Sequence, residues 1–176
     1  MKMDRTAEMQ AKPLLLVDID GVISLWGFPM DVRPPGAFAS IDGIPHFLST
    51  RAAEHLLALQ SDFDLAWCSG WEEKADEHLP RLIGAPAGLP HLRFDATRAA
   101  VSARAHWKLA AIDAFAGPDR PLAWIDDALT DACREWAAAR GAPTLLVATE
   151  PATGLREPHV EALRAWAREL ASTPRA

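Results

Sequence analysis

Cysteine is scarce in this sequence, and no stretch of it is apolar over a long distance. The 176 residues include two cysteines, Cys68 and Cys133, which are too few for a disulfide framework or a cysteine-based zinc site. No apolar run approaches the ~20 residues that a membrane-spanning helix needs. The first residues, MKMDRTAEMQAK, are rich in charge and contain no apolar signal core. We therefore expect a cytoplasmic protein that has no membrane partner.

Basic residues are also in deficit, because 18 lysines and arginines face 24 aspartates and glutamates, for a net charge of −6. Proteins whose main partner is duplex DNA usually carry a strongly basic face. The charge balance therefore disfavours nucleic acid as a partner, although it leaves a local basic groove open. The sequence also lacks G-x-G-x-x-G and Walker motifs, so a dinucleotide-binding fold has no fingerprint here.

What the chain does contain is enough apolar sequence for a sizeable core. It is 49% hydrophobic and 24% charged, a balance that excludes a disordered chain. Its length falls within the roughly 100–200 residues of a typical domain. We expect one domain over residues 1–176, without repeats, low-complexity tracts or an interdomain linker.

Short apolar runs alternate with amphipathic stretches, which predicts βα units around a parallel sheet. Strands are predicted over residues 13–18, 63–68, 91–94, 121–126 and 143–148. Helices are predicted over residues 50–60, 71–83, 103–116, 128–140 and 158–170. The expected fold class is α/β, a three-layer αβα sandwich with a central parallel five-stranded sheet. Residues 22–49 are rich in proline and glycine and predict a hairpin or small flap after the first strand.

Polar residues follow three of the predicted strands at the point where each strand ends. They are Asp18, Asp20 and Gly21 after the first strand, Ser69 and Gly70 after the second, and Asp126 and Asp127 after the fourth. Because the carboxyl ends of parallel strands open on one edge of the sheet, four carboxylates and a hydroxyl are expected to converge there. Lys108, near the start of the third long helix, is placed to add a cation.

Four carboxylates in one cleft repel each other unless a cation neutralises them. Mg²⁺ is the expected cofactor, since it takes one or two carboxylates together with waters and phosphate oxygens. If Asp20 is protonated, the other three acids, Lys108 and the metal ion sum to about zero charge. A dianionic phosphate can then enter the cleft.

Each of these residues also has an ordinary structural interpretation. An acid such as Asp18 often only terminates a strand, and most lysines, including residues like Lys108, are solvated. Ser69 fits a capping box with Glu72, so it can simply start the next helix. Asp127 can likewise cap the helix that follows it. The ordered set of residues favours the functional interpretation over these separate ones.

Four segments carry a family resemblance. They are LLLVDIDGVI, LAWCSGW, the HWK of residues 106–108, and LAWIDDAL. In this order they resemble the four signature motifs of the haloacid dehalogenase-like (HAD) phosphohydrolase superfamily. The resemblance covers residues 13–148, and the first motif is its most specific part.

The resemblance implies a role for each residue at the expected site. Asp18 would be the nucleophile that forms an aspartyl-phosphate, and Asp20 would be the general acid and base. An aspartate at position 20 favours a phosphatase over a dehalogenase, because a leaving alcohol needs a proton. The phosphate would be held by Ser69, Gly70 and Lys108, and Mg²⁺ by Asp18, the backbone carbonyl of Asp20, Asp126 and Asp127.

The segment 22–49 resembles the short flap of capless or minimal-cap members of this superfamily. Their open cleft suits bulky substrates or closure by a partner subunit, so a homo-oligomer stays open. Trp26 and Phe28 would either stack on a substrate ring or pack the flap onto the body. The second motif and residues 149–155 also resemble the HAD domains of RNA-repair proteins, which points to a nucleotide or a nucleic-acid end.

We therefore expect a Mg²⁺-dependent phosphomonoester phosphatase whose phosphorylated substrate the sequence does not identify. One alternative is a receiver-like domain, although the order of acids along the chain disfavours it. Another is a module that binds metal or phosphate without catalysis. Of the other candidates near the motifs, Cys68 is expected to be a buried, inert thiol, and His106 to be solvated or part of the core.

Overall fold

The computed structural model of the chain describes residues 11–94 and 106–173, and its centre is a parallel sheet. The strands are β1 (Leu14–Val17), β2 (Ser24–Leu25), β3 (Gly36–Ile41), β4 (Ile44–Ser49), β5 (Asp64–Trp67), β6 (Leu122–Asp126) and β7 (Thr144–Ala148). The helices are α1 (Thr50–Leu59), α2 (Glu73–Ile83), α3 (Leu109–Ala116), α4 (Asp131–Ala139) and α5 (Glu157–Ser172). The central sheet has four parallel strands in the order β5-β1-β6-β7.

The apolar runs become strands because both faces of this sheet are covered. All four residues of β1 and all five of β6 are buried, as expected for parallel strands with helices on either side. Alternate residues point to opposite faces. Leu15 and Val17 pack in a core with residues of α1, α2 and α5, whereas Leu14 and Leu16 pack with residues of α3 and α4. The fold is therefore α/β and Rossmann-like.

The prediction of a fifth strand over residues 91–94 is wrong. This segment makes a single parallel bridge, between His91 and Trp67, with hydrogen bonds from Trp67 N to Pro90 O and from Leu92 N to Trp67 O, each 2.9 Å. The ladder stops because the Phe94 N–H turns away and donates to a carboxylate oxygen of Glu72 at 2.9 Å. Residues 91–94 therefore make one bridge to β5 and do not form a fifth strand of the sheet.

The predicted helices are present with shifted starts. Helix α1 and helix α5 agree with the predicted ranges to within two residues. Helices α2 and α4 start two and three residues later than predicted, because the chain first completes the loops that leave β5 and β6. Helix α3 starts at Leu109 within the described residues, and residues 103–105 of the predicted helix lie outside them. Within residues 11–94 and 106–173, no helix combines the length and apolar character of a membrane span.

The segment after β1 contains the predicted hairpin. Strands β2, β4 and β3 form an antiparallel sheet in that order, and Asp42 and Gly43, both with positive φ, make the two-residue turn that such hairpins favour. Asp42 forms an ion pair with Lys74 of α2, which ties the turn to the body. Phe28 packs on Phe47, with ring centroids 4.7 Å apart, so Phe28 holds the flap together.

Candidate active site at the carboxyl edge of the sheet

Two acids predicted from distant parts of the sequence lie side by side because of strand register. Val17 pairs with Ile125 across β1 and β6, and the Asp18 N–H donates to Ile125 O at 3.0 Å. Asp18 therefore lies level with Asp126. By alternation both side chains point to the same face of the sheet as Leu16, which is the face that α3 covers. This is also the point where the chain switches from one side of β1 to the other, the usual place for a ligand in such sheets.

Lys108 completes this arrangement from the start of α3. Its Nζ lies 2.9 Å from Asp18 Oδ1 and 2.6 Å from Asp126 Oδ2, and all three residues are buried. A cation at a helix N-terminus is unfavourable with respect to the helix dipole. The two carboxylates compensate for this placement, so the position of Lys108 depends on the site and not on the helix.

Asp127 brings a third carboxylate to the same place. One oxygen each from Asp18, Asp126 and Asp127 lies within 4.8 Å of the others. Gly21 permits this close approach, because a Cβ at that position would overlap the Asp127 carboxylate and because its φ is +73°. The Gly21 carbonyl accepts a hydrogen bond of 2.9 Å from Thr149 Oγ1, which holds the turn against the acid group.

In the part of the chain that the structure describes, the carboxylates of Asp18, Asp126 and Asp127 outnumber the basic groups that pair with them. Burial raises the pKa of Asp18 to about 7, with Lys108 opposing the shift and Asp126 adding to it. Burial and then Asp126 also raise the pKa of Asp127. Burial lowers the pKa of Lys108, but Asp18 and Asp126 more than offset this effect and leave it above its usual value. When all three acids are ionised, one ammonium group faces three carboxylates.

This donor set fits a hard divalent cation. Mg²⁺ prefers oxygen ligands. Here three carboxylates converge, and within residues 11–94 and 106–173 Lys108 is the one basic side chain that pairs with them. Asp126 is also held in place from its other oxygen, because the Ala128 N–H donates to Oδ1 at 2.9 Å. The chemistry of these residues therefore suits the predicted Mg²⁺ site.

The Asp20 carboxylate lies outside this group of three acids. Its Oδ2 accepts a hydrogen bond of 3.1 Å from the Trp71 indole Nε1, so a role for Asp20 at the metal through its backbone carbonyl stays a prediction. The His46 ring of the flap packs edge-on against Trp71, with centroids 4.7 Å apart. His46 Nδ1 is in turn 2.9 Å from Ser24 Oγ. The flap therefore supports the side chain that orients Asp20.

The second motif lies on the other side of β1. The Cys68 N–H donates to Val17 O at 2.8 Å, so Ser69 directly follows the residue that is level with Asp18. The capping-box interpretation of Ser69 is wrong, since the residue before α2 is Glu72, with a φ of +47° and no side-chain cap. Among the described residues, Ser69 Oγ accepts one long contact of 3.5 Å, from the Trp71 N–H. Binding of a phosphate oxygen by this buried hydroxyl stays a prediction.

The structure also bears on the ordinary structural interpretations of the other candidates. The cap interpretation of Asp127 is wrong, because Thr130 precedes α4. Burial raises the pKa of Cys68, as expected for an inert thiol. His106 is half-buried, with its ring packed against Trp124 at 5.1 Å, and burial lowers its pKa. The loop after β7 packs on the turn that follows β1, since Leu155 N donates to Val22 O at 3.0 Å.

Two tryptophans at the site were not identified from the sequence. Trp71 binds Asp20, and Trp107 lies beside Lys108, whose Nζ is 5.3 Å from the indole centroid. Both tryptophans belong to the quoted motif segments, as the residue after Ser69-Gly70 and the residue before Lys108. A tryptophan beside each predicted phosphate-binding position was therefore the feature of the sequence that could have identified these two residues.

No protein-family model matches this chain, and no curated protein sequence matches it. The resemblance of the four sequence motifs to those of the HAD superfamily therefore stays a prediction.

Proposed function

We propose that this protein is a Mg²⁺-dependent phosphomonoester phosphatase with a HAD-like three-layer αβα fold. The observation that carries the proposal is the buried contact of Lys108 with both Asp18 and Asp126, with Asp127 beside them. Such a group is costly to bury, and it lies at the edge where parallel sheets bind ligands. A substrate phosphate and a metal ion account for both its charge and its position.

The metal would be held by Asp18, Asp126 and Asp127, whose oxygens already converge. When bound, Mg²⁺ supplies positive charge that offsets the repulsion between the nucleophilic carboxylate and the phosphate dianion. Lys108 supplies part of the same stabilisation from the protein, because it stays protonated next to two acids. The Ser69 hydroxyl and the backbone around Gly70 would orient the phosphate oxygens.

In the first step, a carboxylate oxygen of Asp18 attacks phosphorus, and the bond from phosphorus to the ester oxygen breaks. Asp20 gives its proton to that oxygen, so the product leaves as an alcohol. Burial raises the pKa of Asp18 to about 7 although Lys108, 2.9 Å from its Oδ1, opposes the shift. A bound cation would favour the ionised nucleophile at neutral pH.

In the second step, the Asp20 carboxylate accepts a proton from water, and the water oxygen attacks the phosphorus of the aspartyl-phosphate. The bond from phosphorus to Asp18 breaks, which releases phosphate and regenerates both acids. The hydrogen bond from Trp71 Nε1 to Asp20 Oδ2 holds this carboxyl group in one orientation for the proton transfers of both steps.

The test is phosphate release from a library of esters that includes sugar phosphates, nucleotides and phosphorylated oligonucleotide ends, with and without Mg²⁺. We expect turnover that chelation abolishes and that the Asp18→Asn variant lacks. A long-lived phosphoryl adduct without turnover would instead indicate a receiver-like domain. Mg²⁺ binding measured by calorimetry, with no release from any ester, would indicate a module without catalysis.

A further inference from the structure

Trp107 is an exposed aromatic residue at the rim of the proposed phosphate site. Its side chain is 42% exposed, whereas Trp67 and Trp124 are fully buried in the core. Tryptophan has a large apolar surface and is normally covered over most of it. An exposed indole next to a site is therefore a candidate for contact with a ligand.

The position of Trp107 is defined by its neighbours. The Phe94 ring packs against it with centroids 4.6 Å apart and an interplanar angle of 59°, and the ring of His106 lies 6.3 Å away and nearly parallel. These contacts hold the indole in place while part of its surface stays open. A platform that is already ordered loses little entropy when a ligand binds to it.

Gly70 leaves space next to the indole. A Cβ at this position would have one near neighbour, Trp107 Cη2 at 3.8 Å, so the absent side chain is what keeps the area between them open. The backbone of Gly70 does not have a positive φ, and conformation alone does not require glycine here. The open space lies next to Ser69, whose hydroxyl is a proposed phosphate ligand.

The distances allow one small molecule to contact both parts of the site. The Lys108 Nζ is 5.3 Å from the indole centroid, and a phosphate oxygen bound to Nζ would be about 2.8 Å from it. That oxygen would therefore lie within about 8 Å of the indole centre, while stacked or edge-on rings have centroids about 4.5–7 Å apart. A ring a few bonds away from the phosphate meets both conditions.

We infer that Trp107 is a stacking platform that selects phosphomonoesters carrying a planar aromatic or heteroaromatic ring close to the phosphate. This inference rests on the proposed function, because it assigns the phosphate to Lys108 and Ser69. A nucleoside monophosphate and a simple arylalkyl phosphate share this chemistry, and the experiment distinguishes between them.

The main experiment compares 2-phenylethyl phosphate with 2-cyclohexylethyl phosphate. Both are primary alkyl esters of similar size, so the chemistry of the leaving group is matched and only the flat π ring differs. We expect kcat/KM for the phenyl ester to be about tenfold higher, mainly through KM. Trp107→Leu should bring the ratio of the two kcat/KM values to about one, and Trp107→Phe should retain part of the preference.

Two further variants separate a contact with the ligand from an effect on folding. Gly70→Ala keeps Trp107 but fills the space beside it, so the phenyl preference should fall in a protein whose core is unchanged. Phe115→Leu changes another exposed aromatic residue, which lies on α3 and is 39% exposed. This control substitution should leave the preference for the phenyl ester unaltered. Adenosine 5′-monophosphate compared with ribose 5-phosphate tests whether a nucleobase is the preferred ring.

Binding to the Asp18→Asn variant in the presence of Mg²⁺, measured by calorimetry, separates the two proposals. One outcome is that the wild-type protein hydrolyses no ester, while Asp18→Asn binds the phenyl ester more tightly than the cyclohexyl ester and Trp107→Leu removes that difference in affinity. The phosphatase proposal then fails and the stacking platform stands. If both esters are hydrolysed equally well, and Trp107→Leu leaves their ratio at one, the platform is overturned and the phosphatase proposal stands.

Discussion

The two ends of the central sheet carry ion pairs of similar length in opposite surroundings. At the amino end, Arg120 contacts Asp64 at 2.6 Å, with side chains that are 36% and 56% exposed. At the carboxyl end, Lys108 contacts Asp126 at the same distance, with side chains that are 4% and 1% exposed. The first pair is balanced in charge and solvated, whereas the second belongs to a buried group with an excess of acids.

The distance between charges therefore says little about what an ion pair does. An exposed pair contributes about 0–1 kcal/mol to the free energy of unfolding. A buried group with excess charge is unfavourable unless a further partner neutralises it, and proteins retain such groups where function requires them. This contrast between the two ends can be tested by matched substitutions at each of them.

The largest expected effect is the loss of phosphatase activity when the nucleophile is removed. Asp18→Asn should lower phosphate release by about 10³-fold or more, because the amide cannot attack phosphorus. Asp64→Asn, which breaks the exposed pair at the amino end, should leave the rate unchanged. Activity retained in Asp18→Asn would remove this residue from the mechanism.

Removing the cation from each end should reveal the difference in stability. Lys108→Met leaves the Asp18 and Asp126 carboxylates buried without their partner, and we expect it to lower the free energy of unfolding by about 3–5 kcal/mol. Arg120→Met should lower it by less than about 1 kcal/mol. Urea unfolding without metal measures both, and equal losses would mean that burial does not distinguish the two ends.

The pH dependence of stability should come from the carboxyl end. The pKa of Asp18 is about 7 in the folded protein against a usual value of 3.8, so between these pH values the folded state binds more protons than the unfolded state. The stabilising contribution of Asp18 is therefore complete below pH 3.8 and is lost as the pH rises to about 7. As the pH rises through this window, the free energy of unfolding of Asp18→Asn should therefore increase relative to that of the wild type.

The matching measurement is urea unfolding of both proteins across that pH range in the presence of a chelator. Mg²⁺ should narrow the difference at the upper end of the range, because it favours the ionised carboxylate. A stability difference between wild type and Asp18→Asn that is independent of pH would show that Asp18 does not titrate in this window.

The smallest expected effect tests the hydrogen bond that orients Asp20. Trp71→Phe removes the indole N–H but keeps an aromatic ring against His46, so we expect kcat for alkyl phosphates to fall about threefold to tenfold with little change in KM. Trp136→Phe is the matched control. The Trp136 Nε1 donates to Asp113 Oδ1 at 3.0 Å, and this hydrogen bond does not involve a residue of the candidate site. Equal effects of the two substitutions on kcat would argue against a role for Trp71 at Asp20.

Much of the architecture could be predicted because it depends on local patterns. The runs PLLLVD and PLAWID are apolar almost throughout, and a run of this length bounded by proline and aspartate is typical of a strand buried on both faces. Residues 91–94 failed as a strand because their pairing depends on where the Phe94 N–H finds a partner. That partner, Glu72, lies 22 residues away in sequence, beyond the reach of any local pattern.

The candidate site could be predicted only in part for the same reason. The parallel arrangement of strands was sufficient to bring Asp18 and Asp126 together, since register follows from the buried pattern. It was not sufficient to predict the Asp20 contact, because that contact depends on the side-chain direction of Trp71 after an irregular turn at Glu72. Loop conformation and rotamer together decided which partner Asp20 has.

The amino-acid sequence by itself determined which acids stand at strand ends, because apolar runs of four to six residues make strands wherever helices cover them. It also determined that these acids need a cation, since like charges repel in any fold. Only the tertiary structure decided that Lys108 bridges Asp18 and Asp126, that Asp127 and not the Asp20 carboxylate joins them, and that Trp107 stays exposed. These outcomes depend on how segments far apart in the chain pack against one another.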